Sequence, residues 1–296
     1  MELNLPGGEA AFEKLLMQHP WVGVAELALI AASVALNLHL MGMFFFRRGW
    51  FVSRLPPVPW SFARGMSVMA NYAFIFFGVM VLVLMLRQEF GEPLLKAGFA
   101  DLHLTVLGLT IGQVLSLGLA VHFSRAVRRE GGVSAWALWK GSSAREALLG
   151  IPLFLLVVVP VSLVVLLAAA VYRKLGWPFE VQPMISQLCQ TDAVWFVAAI
   201  SFFAVVVAPL VEEIFFRGIL YATLRSRWGI AAAAAASSLV FAILHFHLAA
   251  LLPLFALAVV LCLAYERTGS LPACIVAHSL FNSMSILLIW LFRDLR

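Results

Sequence analysis

Two adjacent carboxylates and an arginine interrupt an apolar run: Ala208-Pro-Leu-Val-Glu212-Glu213-Ile-Phe-Phe-Arg217-Gly218, in a stretch with no other charge from Ala193 to Leu224. In lipid each such group costs roughly 2.5–3.5 kcal/mol at the bilayer centre, so three together must pair or face water. Glu213 and Arg217 are four residues apart, which puts them on one helix face at ion-pair spacing. Glu212 projects about 100° away and is left free. One carboxylate held by an arginine and one available to move protons suits acid–base chemistry. A buried ion pair with a spare glutamate at an interface is the plainer account of the same residues. Pro209, just before the pair, predicts a kink that lets water in.

Two further polar pairs follow. Phe241-Ala-Ile-Leu-His245 closes one apolar run, and His278-Ser-Leu-Phe-Asn282 opens another. His278 and Asn282 again share a helix face. The remaining histidines, His19, His39, His103 and His122, read as hydrogen-bonded structural groups, and His247 lies next to His245 on a different face. A depth count tests whether the pairs meet. With the inner boundary near Arg225 and Gly229, Glu212 lies about 20 Å deep and His245 about 24 Å at 1.5 Å per residue. His278 and Asn282 lie about 9 and 15 Å deep if their helix starts near Leu271. Straight helices leave a gap, which kinks and tilt have to close.

The elements that carry these groups are membrane spans. Hydrophobic residues make up 63% of the 296 positions and charged residues 12%, with a mean hydropathy of +1.00. Soluble domains carry roughly 25% charge, and this chain lacks the polar residues for a water-facing shell. Its apolar runs are about 18–25 residues long, enough to cross a hydrocarbon core of about 30 Å. The expected fold is all-α, a polytopic transmembrane bundle of eight spans near 22–46, 66–86, 102–123, 147–172, 194–225, 229–247, 249–266 and 272–292. Met1–Pro20 carries Glu2, Glu9 and Glu13 against Lys14, which does not fit a cleavable leader. Residues 1–192 contain spans without a recognisable motif, and residues 193–296 hold the chemistry.

Charge sets the orientation. Arg47, Arg48, Arg54 and Arg64 follow the first span, Arg125, Arg128, Arg129, Lys140 and Arg145 the third, and Arg225 and Arg227 the fifth. Basic alternate loops place that side in the cytoplasm and both termini outside, with Arg293 and Arg296 pulling weakly the other way. The same pattern accounts for the basic pI without a nucleic-acid partner. Gly108 and Gly112, and the small-residue face from Ala231 to Ser238, predict close helix contacts. Cys189, Cys262 and Cys274 match no metal or redox spacing and read as packing residues.

The three polar segments together resemble the CPBP family (CAAX prenyl endopeptidase-like and bacteriocin-processing intramembrane proteases, also called Abi). The family motifs EExxxR, FxxxH and HxxxN are met by Glu212, Glu213 and Arg217, by Phe241 and His245, and by His278 and Asn282. The resemblance covers about residues 193–292 and implies peptide-bond hydrolysis within or near the membrane. Carried onto this chain, it makes Glu212 the general base for water and has His245 position that water. His278 and Asn282 would donate to the developing oxyanion, with Glu213 and Arg217 in support. A zinc version is equally compatible: His245, His278 and Glu213 as ligands, with the other glutamate as base. The cofactor expectation is therefore none or Zn²⁺, leaning to none.

Other protease chemistries lack their residues. There is no HExxH, the three aspartates Asp101, Asp192 and Asp294 sit at span edges, and no GxSG occurs. Two other classes fit less well: a non-catalytic scaffold or immunity protein of the same fold, and a transporter, whose polar residues would be expected in both halves. The expected partners are membrane lipid and a peptide or membrane-protein substrate, and the expected location is a bacterial plasma membrane.

Overall fold

The computed structural model describes residues 20–46, 53–96, 101–130, 144–177, 188 and 191–293. His19, Arg47, Arg48, Lys140 and Cys189 lie outside them. No strand occurs among the described residues. The helices are α1 (Pro20–Phe46), α2 (Phe62–Lys96), α3 (Asp101–Arg129), the single turn α4 (Ala144–Leu148) and α5 (Gly150–Leu175). After residue 193 come α6 (Val194–Phe202), the π-helix π1 (Phe203–Val207), α7 (Ala208–Glu212) and a second π-helix, π2 (Glu213–Tyr221). The last three are α8 (Ala222–Ile243), α9 (Leu248–Thr268) and α10 (Leu271–Arg293).

Seven helical stretches among the described residues are long and apolar enough to cross a membrane, against the eight expected. The difference is local. The expected fifth and sixth spans run together as Val194–Ile243, and the boundary between them is a break inside one helical stretch. At Gly229 the backbone has φ 79° and ψ 178°, a region open essentially only to glycine. The chain therefore turns at the residue where the two spans were expected to part.

Packing puts π2 in the middle. It touches α2, α8, α9 and α10, while α5 packs against α1, α9 and α10 on the other side of the last two helices. The centre is filled by Val211, Phe215, Tyr221, Phe241, Leu257 and Leu261, all essentially fully buried. Large apolar side chains such as Phe74, Leu163, Leu166, Leu167 and Leu248 cover the outside. A bundle solvated by lipid needs no polar coat, so this exposure is the expected pattern.

Three local devices fix the frame. The hydroxyl of Ser33 on α1 sits between two main-chain groups of α5, donating to Leu155 O and accepting from Val159 N–H at 3.2 Å. This insertion falls one residue before the in-helix Pro160. At the other end of the core, Glu266 is fully buried and accepts from Tyr221 Oη at 2.6 Å and Arg225 Nε at 2.8 Å. Arg225 Nη2 also donates to Ser53 Oγ at 2.7 Å, and Arg54 N–H donates to Glu266 O at 2.9 Å. The segment before α2 is thus tied to the end of α9. Finally, α9 ends at Gly269 (φ 68°), whose N–H donates to Tyr265 O at 2.8 Å. Ser270 Oγ then accepts from Ala273 N–H at 3.3 Å. A left-handed glycine followed by a serine cap gives the tight turn that starts α10 and sets the height of His278.

The small-residue expectations hold at Gly108 and over part of the Ala231–Ser238 face, whereas an added carbon on Gly112 would meet only Val79 at an ordinary 3.9 Å. A Cβ on Gly108 would lie 2.6 Å from Val83 of α2, and Ala233, Ala234, Ser237 and Ser238 are buried. Cys262 and Cys274 are free and buried.

Candidate active site

The π-helices explain how the site opens. Ala208 N–H bonds to Phe203 O, one residue further back than in an α-helix. In that register the donor for Ala204 O would be residue 209, a proline without an N–H. Asn282 Nδ2 takes the vacant place, donating to Ala204 O at 2.7 Å. In a span, an unpaired carbonyl costs several kcal/mol. Pro209 therefore leaves free the acceptor that anchors Asn282 and, through it, α10. Stretches of π-helix are rare and often mark functional sites.

One step further along, the two glutamates part company. Glu213 and Arg217 are both fully buried, with Arg217 Nη1 at 2.8 Å from Glu213 Oε1. The expected pair forms, on π-helix instead of α-helix. Arg217 Nη2 also reaches Ala258 O at 3.5 Å, and the guanidinium lies 4.9 Å from the centre of the Phe241 ring. Arg217 Nε and Nη1 and Glu213 Oε2 are buried without a hydrogen bond, so the contact at Oε1 is an attraction of charges whose N–H is not aimed at the oxygen. Glu212, by contrast, has 19% of its side chain exposed.

His278 joins both carboxylates. Its Nδ1 lies 2.8 Å from Glu213 Oε1 and its Nε2 lies 3.8 Å from Glu212 Oε2. An ionised carboxylate only accepts, so Nδ1 carries the proton and the other ring nitrogen is turned toward Glu212. His278 is itself 3% exposed. The approach that the depth count left open is therefore made, with Glu212, Glu213, Arg217 and His278 in one cluster.

His245 stands beside this cluster. It follows the end of α8, and its Nδ1 donates to Phe241 O at 2.8 Å, which leaves Nε2 free of the backbone. The Phe241 ring is near both imidazoles, 4.7 Å from that of His245 and 6.0 Å from that of His278. No hydrogen bond or ion pair joins His245 to either glutamate among the described residues. His247 has a separate task, accepting from Ala250 N–H at 3.3 Å as the cap of α9.

The zinc alternative needs His245, His278 and Glu213 to converge. Glu213 Oε1 instead faces Arg217 and His278, and no group of three or more His, Cys, Asp or Glu side chains is placed to hold a metal ion among the described residues. The residues in this arrangement do not fit a zinc site.

One neighbour escaped the sequence reading. Tyr72 of α2 stacks on Phe215 with ring centroids 4.1 Å apart and meets Phe216 edge-on at 6.1 Å. Its only signal in the sequence is a phenol among apolar side chains, too common to single out.

Comparison with known proteins points to the same stretch of chain. No curated protein and no solved structure matches the chain. Residues 193–284, just under a third of its length, match the family model described as type II CAAX prenyl endopeptidase Rce1-like. The matched segment runs from the start of α6 into α10 and contains Glu212, Glu213, Arg217, Phe241, His245, His278 and Asn282. Over these residues the chain is similar to the Rce1-like type II CAAX prenyl endopeptidase family.

Proposed function

We propose that this chain is an integral-membrane endopeptidase that hydrolyses a peptide bond at the cluster of Glu212, His278, His245 and Asn282. The observation that carries the reading is the unequal treatment of two neighbouring glutamates. Glu213 is sealed against Arg217, while Glu212, with 19% of its side chain exposed, lies beside the imidazole that Glu213 holds.

Glu212 takes a proton from water, and the water oxygen bonds to the scissile carbonyl carbon. The gap of 3.8 Å between Glu212 and His278 Nε2 exceeds a hydrogen bond, and one water placed to the side can bridge the two. His245 turns its free Nε2 toward that water. The oxyanion is met by His278, donating from Nε2 in its protonated form, and by the amide hydrogen of Asn282 that does not serve Ala204. Such donors are worth several kcal/mol where water is excluded. Glu212 then passes its proton to the leaving nitrogen as the C–N bond breaks. Glu213 and Arg217 hold the frame, and no metal takes part. The basic alternate loops fit a bacterial plasma membrane, with lipid and a membrane-associated peptide as partners.

The test uses full-length protein in detergent with an internally quenched peptide ending in a farnesylated CAAX sequence, beside its unlipidated twin. Glu212→Gln should lower kcat by about 10²–10⁴, the range for loss of a general base, while zinc chelators leave the wild type active. A Glu212→Gln protein that cuts normally would end the proposal. Stoichiometric zinc whose removal abolishes cleavage would replace the metal-free route with the other one.

A further inference from the structure

We propose that Phe246 positions the imidazole of His245, by holding the turn after α8 in a left-handed conformation braced on Phe77 of α2. The inference rests on the endopeptidase reading for its kinetic consequence but not for the arrangement itself.

The backbone gives the first part. Phe246 has φ 49°, where the Cβ of an L-residue crowds the following carbonyl oxygen. The other left-handed positions among the described residues are all glycines: Gly176, Gly229 and Gly269. Gly176 and Gly269 end α5 and α9, the usual place for such a residue. A glycine at 246 would end α8 without strain, so the ring serves another purpose. Burial is not that purpose, because Phe246 is 61% exposed and lipid solvates an apolar ring as well as protein does. The ring instead meets Phe77 edge-on, with centroids 5.7 Å apart and planes at 75°. Phe77 is in turn edge-on to Phe76 at 5.6 Å. About one and a half turns earlier on α2, Tyr72 stacks on Phe215 of π2. The brace therefore ties the end of α8 to the helix that packs against the segment carrying Glu213.

Hydrogen bonds carry the effect to His245. In an α-helix the His245 N–H would bond to Phe241 O, four residues back. Here it bonds to Ala242 O at 3.3 Å, and Phe246 N–H bonds to Ile243 O at 3.0 Å, so the helix tightens as it ends. Phe241 O, passed over by that backbone donor, accepts from His245 Nδ1 at 2.8 Å instead. That bond commits the ring proton to Nδ1 and leaves Nε2 as an acceptor. On the far side His247 caps α9, accepting from Ala250 N–H, so Phe246 alone separates the two histidines and makes the turn. Releasing φ at 246 lets the last turn of α8 relax to ordinary winding. The His245 N–H then reclaims Phe241 O, and the imidazole loses its anchor.

The experiment compares Phe246→Gly, Phe246→Ala and Phe77→Ala in full-length protein carrying ¹⁵N-labelled histidine rings. The His245 signals are assigned by their loss in His245→Gln. Wild type should show His245 as one tautomer, protonated at Nδ1. Phe246→Gly and Phe77→Ala should each draw its two ring-nitrogen shifts together as the tautomers mix, while the His278 signals stay in place. On the quenched peptide, kcat should fall about tenfold in both, with KM within twofold. Glycine relieves the strain that alanine keeps, so Phe246→Gly should unfold less readily than Phe246→Ala. Phe246→Tyr, which keeps the ring, should keep the wild-type His245 signals. An unmoved His245 tautomer in Phe246→Gly or in Phe77→Ala overturns the proposal, as does a Phe246→Gly protein that unfolds more readily than Phe246→Ala. If the tautomer shifts in both variants but wild type cuts no peptide, the arrangement stands and the endopeptidase reading falls.

Discussion

Replacing one glutamate of the adjacent pair should destabilise the bundle, and replacing the other should not. Glu213→Gln keeps the shape of the side chain and an oxygen for His278 but removes the charge opposite Arg217. Both partners are at 0% exposure, so water cannot compensate. Arg217 would retain only Ala258 O at 3.5 Å and the face of Phe241 at 4.9 Å. Stranding one partner of a buried pair costs about 3–5 kcal/mol. The surviving contact with the aromatic face, worth up to about 2 kcal/mol when desolvated, pulls the expectation to the lower end, near 3 kcal/mol. Glu212→Gln, on a partly exposed side chain that makes no hydrogen bond to His278, 3.8 Å away, should stay within about 0.5 kcal/mol. Both are measured by SDS titration in mixed micelles, followed by fluorescence of the tryptophans. The double variant Glu213→Leu/Arg217→Met removes both charges together and should recover most of the loss, with a coupling energy of at least about 2 kcal/mol. Equal midpoints for the two single variants, or additive behaviour in the double, would show that the pair does not bear the strain assigned to it.

Two more variants probe the backbone. Asn282→Ala should cost about 1–3 kcal/mol by leaving Ala204 O without a donor. Pro209→Ala restores an N–H beside that carbonyl, so the penalty should shrink in the double variant, and an equal penalty in both backgrounds would break the link between them. Gly229→Ala should cost about 1–3 kcal/mol from backbone strain alone, because nothing lies within 4 Å of the added carbon. Gly118→Ala, equally unobstructed but inside a regular helix, is the control and should be neutral or stabilising on the same titration.

What could be read from the sequence follows the physics of lipid. The spans are visible because every crossing needs an unbroken apolar run, and the Glu213–Arg217 pair because spacing on a helix sets which side chains meet. The Gly229 break coincides with an expected loop, although helix continues on both sides of it. The approach of Glu212 to His278 was not visible: counted along straight helices they differ by about 11 Å in depth, and the register shifts of π1 and π2 are absent from such a count. The partner of Asn282 was hidden for a related reason. It is a main-chain carbonyl, released by a change of winding next to a proline, and residue types alone do not reveal it. Tyr72 was beyond reach because its contact lies some 140 positions away and belongs to no motif.

The tie between Ser53, Arg54, Arg225 and Glu266 bears on how such a chain can be taken apart. A fragment starting at α6 would carry every motif residue yet leave a guanidinium at the membrane edge without its hydroxyl partner and strip the backbone donor from Glu266 O. Grafting this C-terminal third onto foreign helices would therefore require the short stretch ahead of α2 to travel with it, as a clasp that the recipient cannot supply.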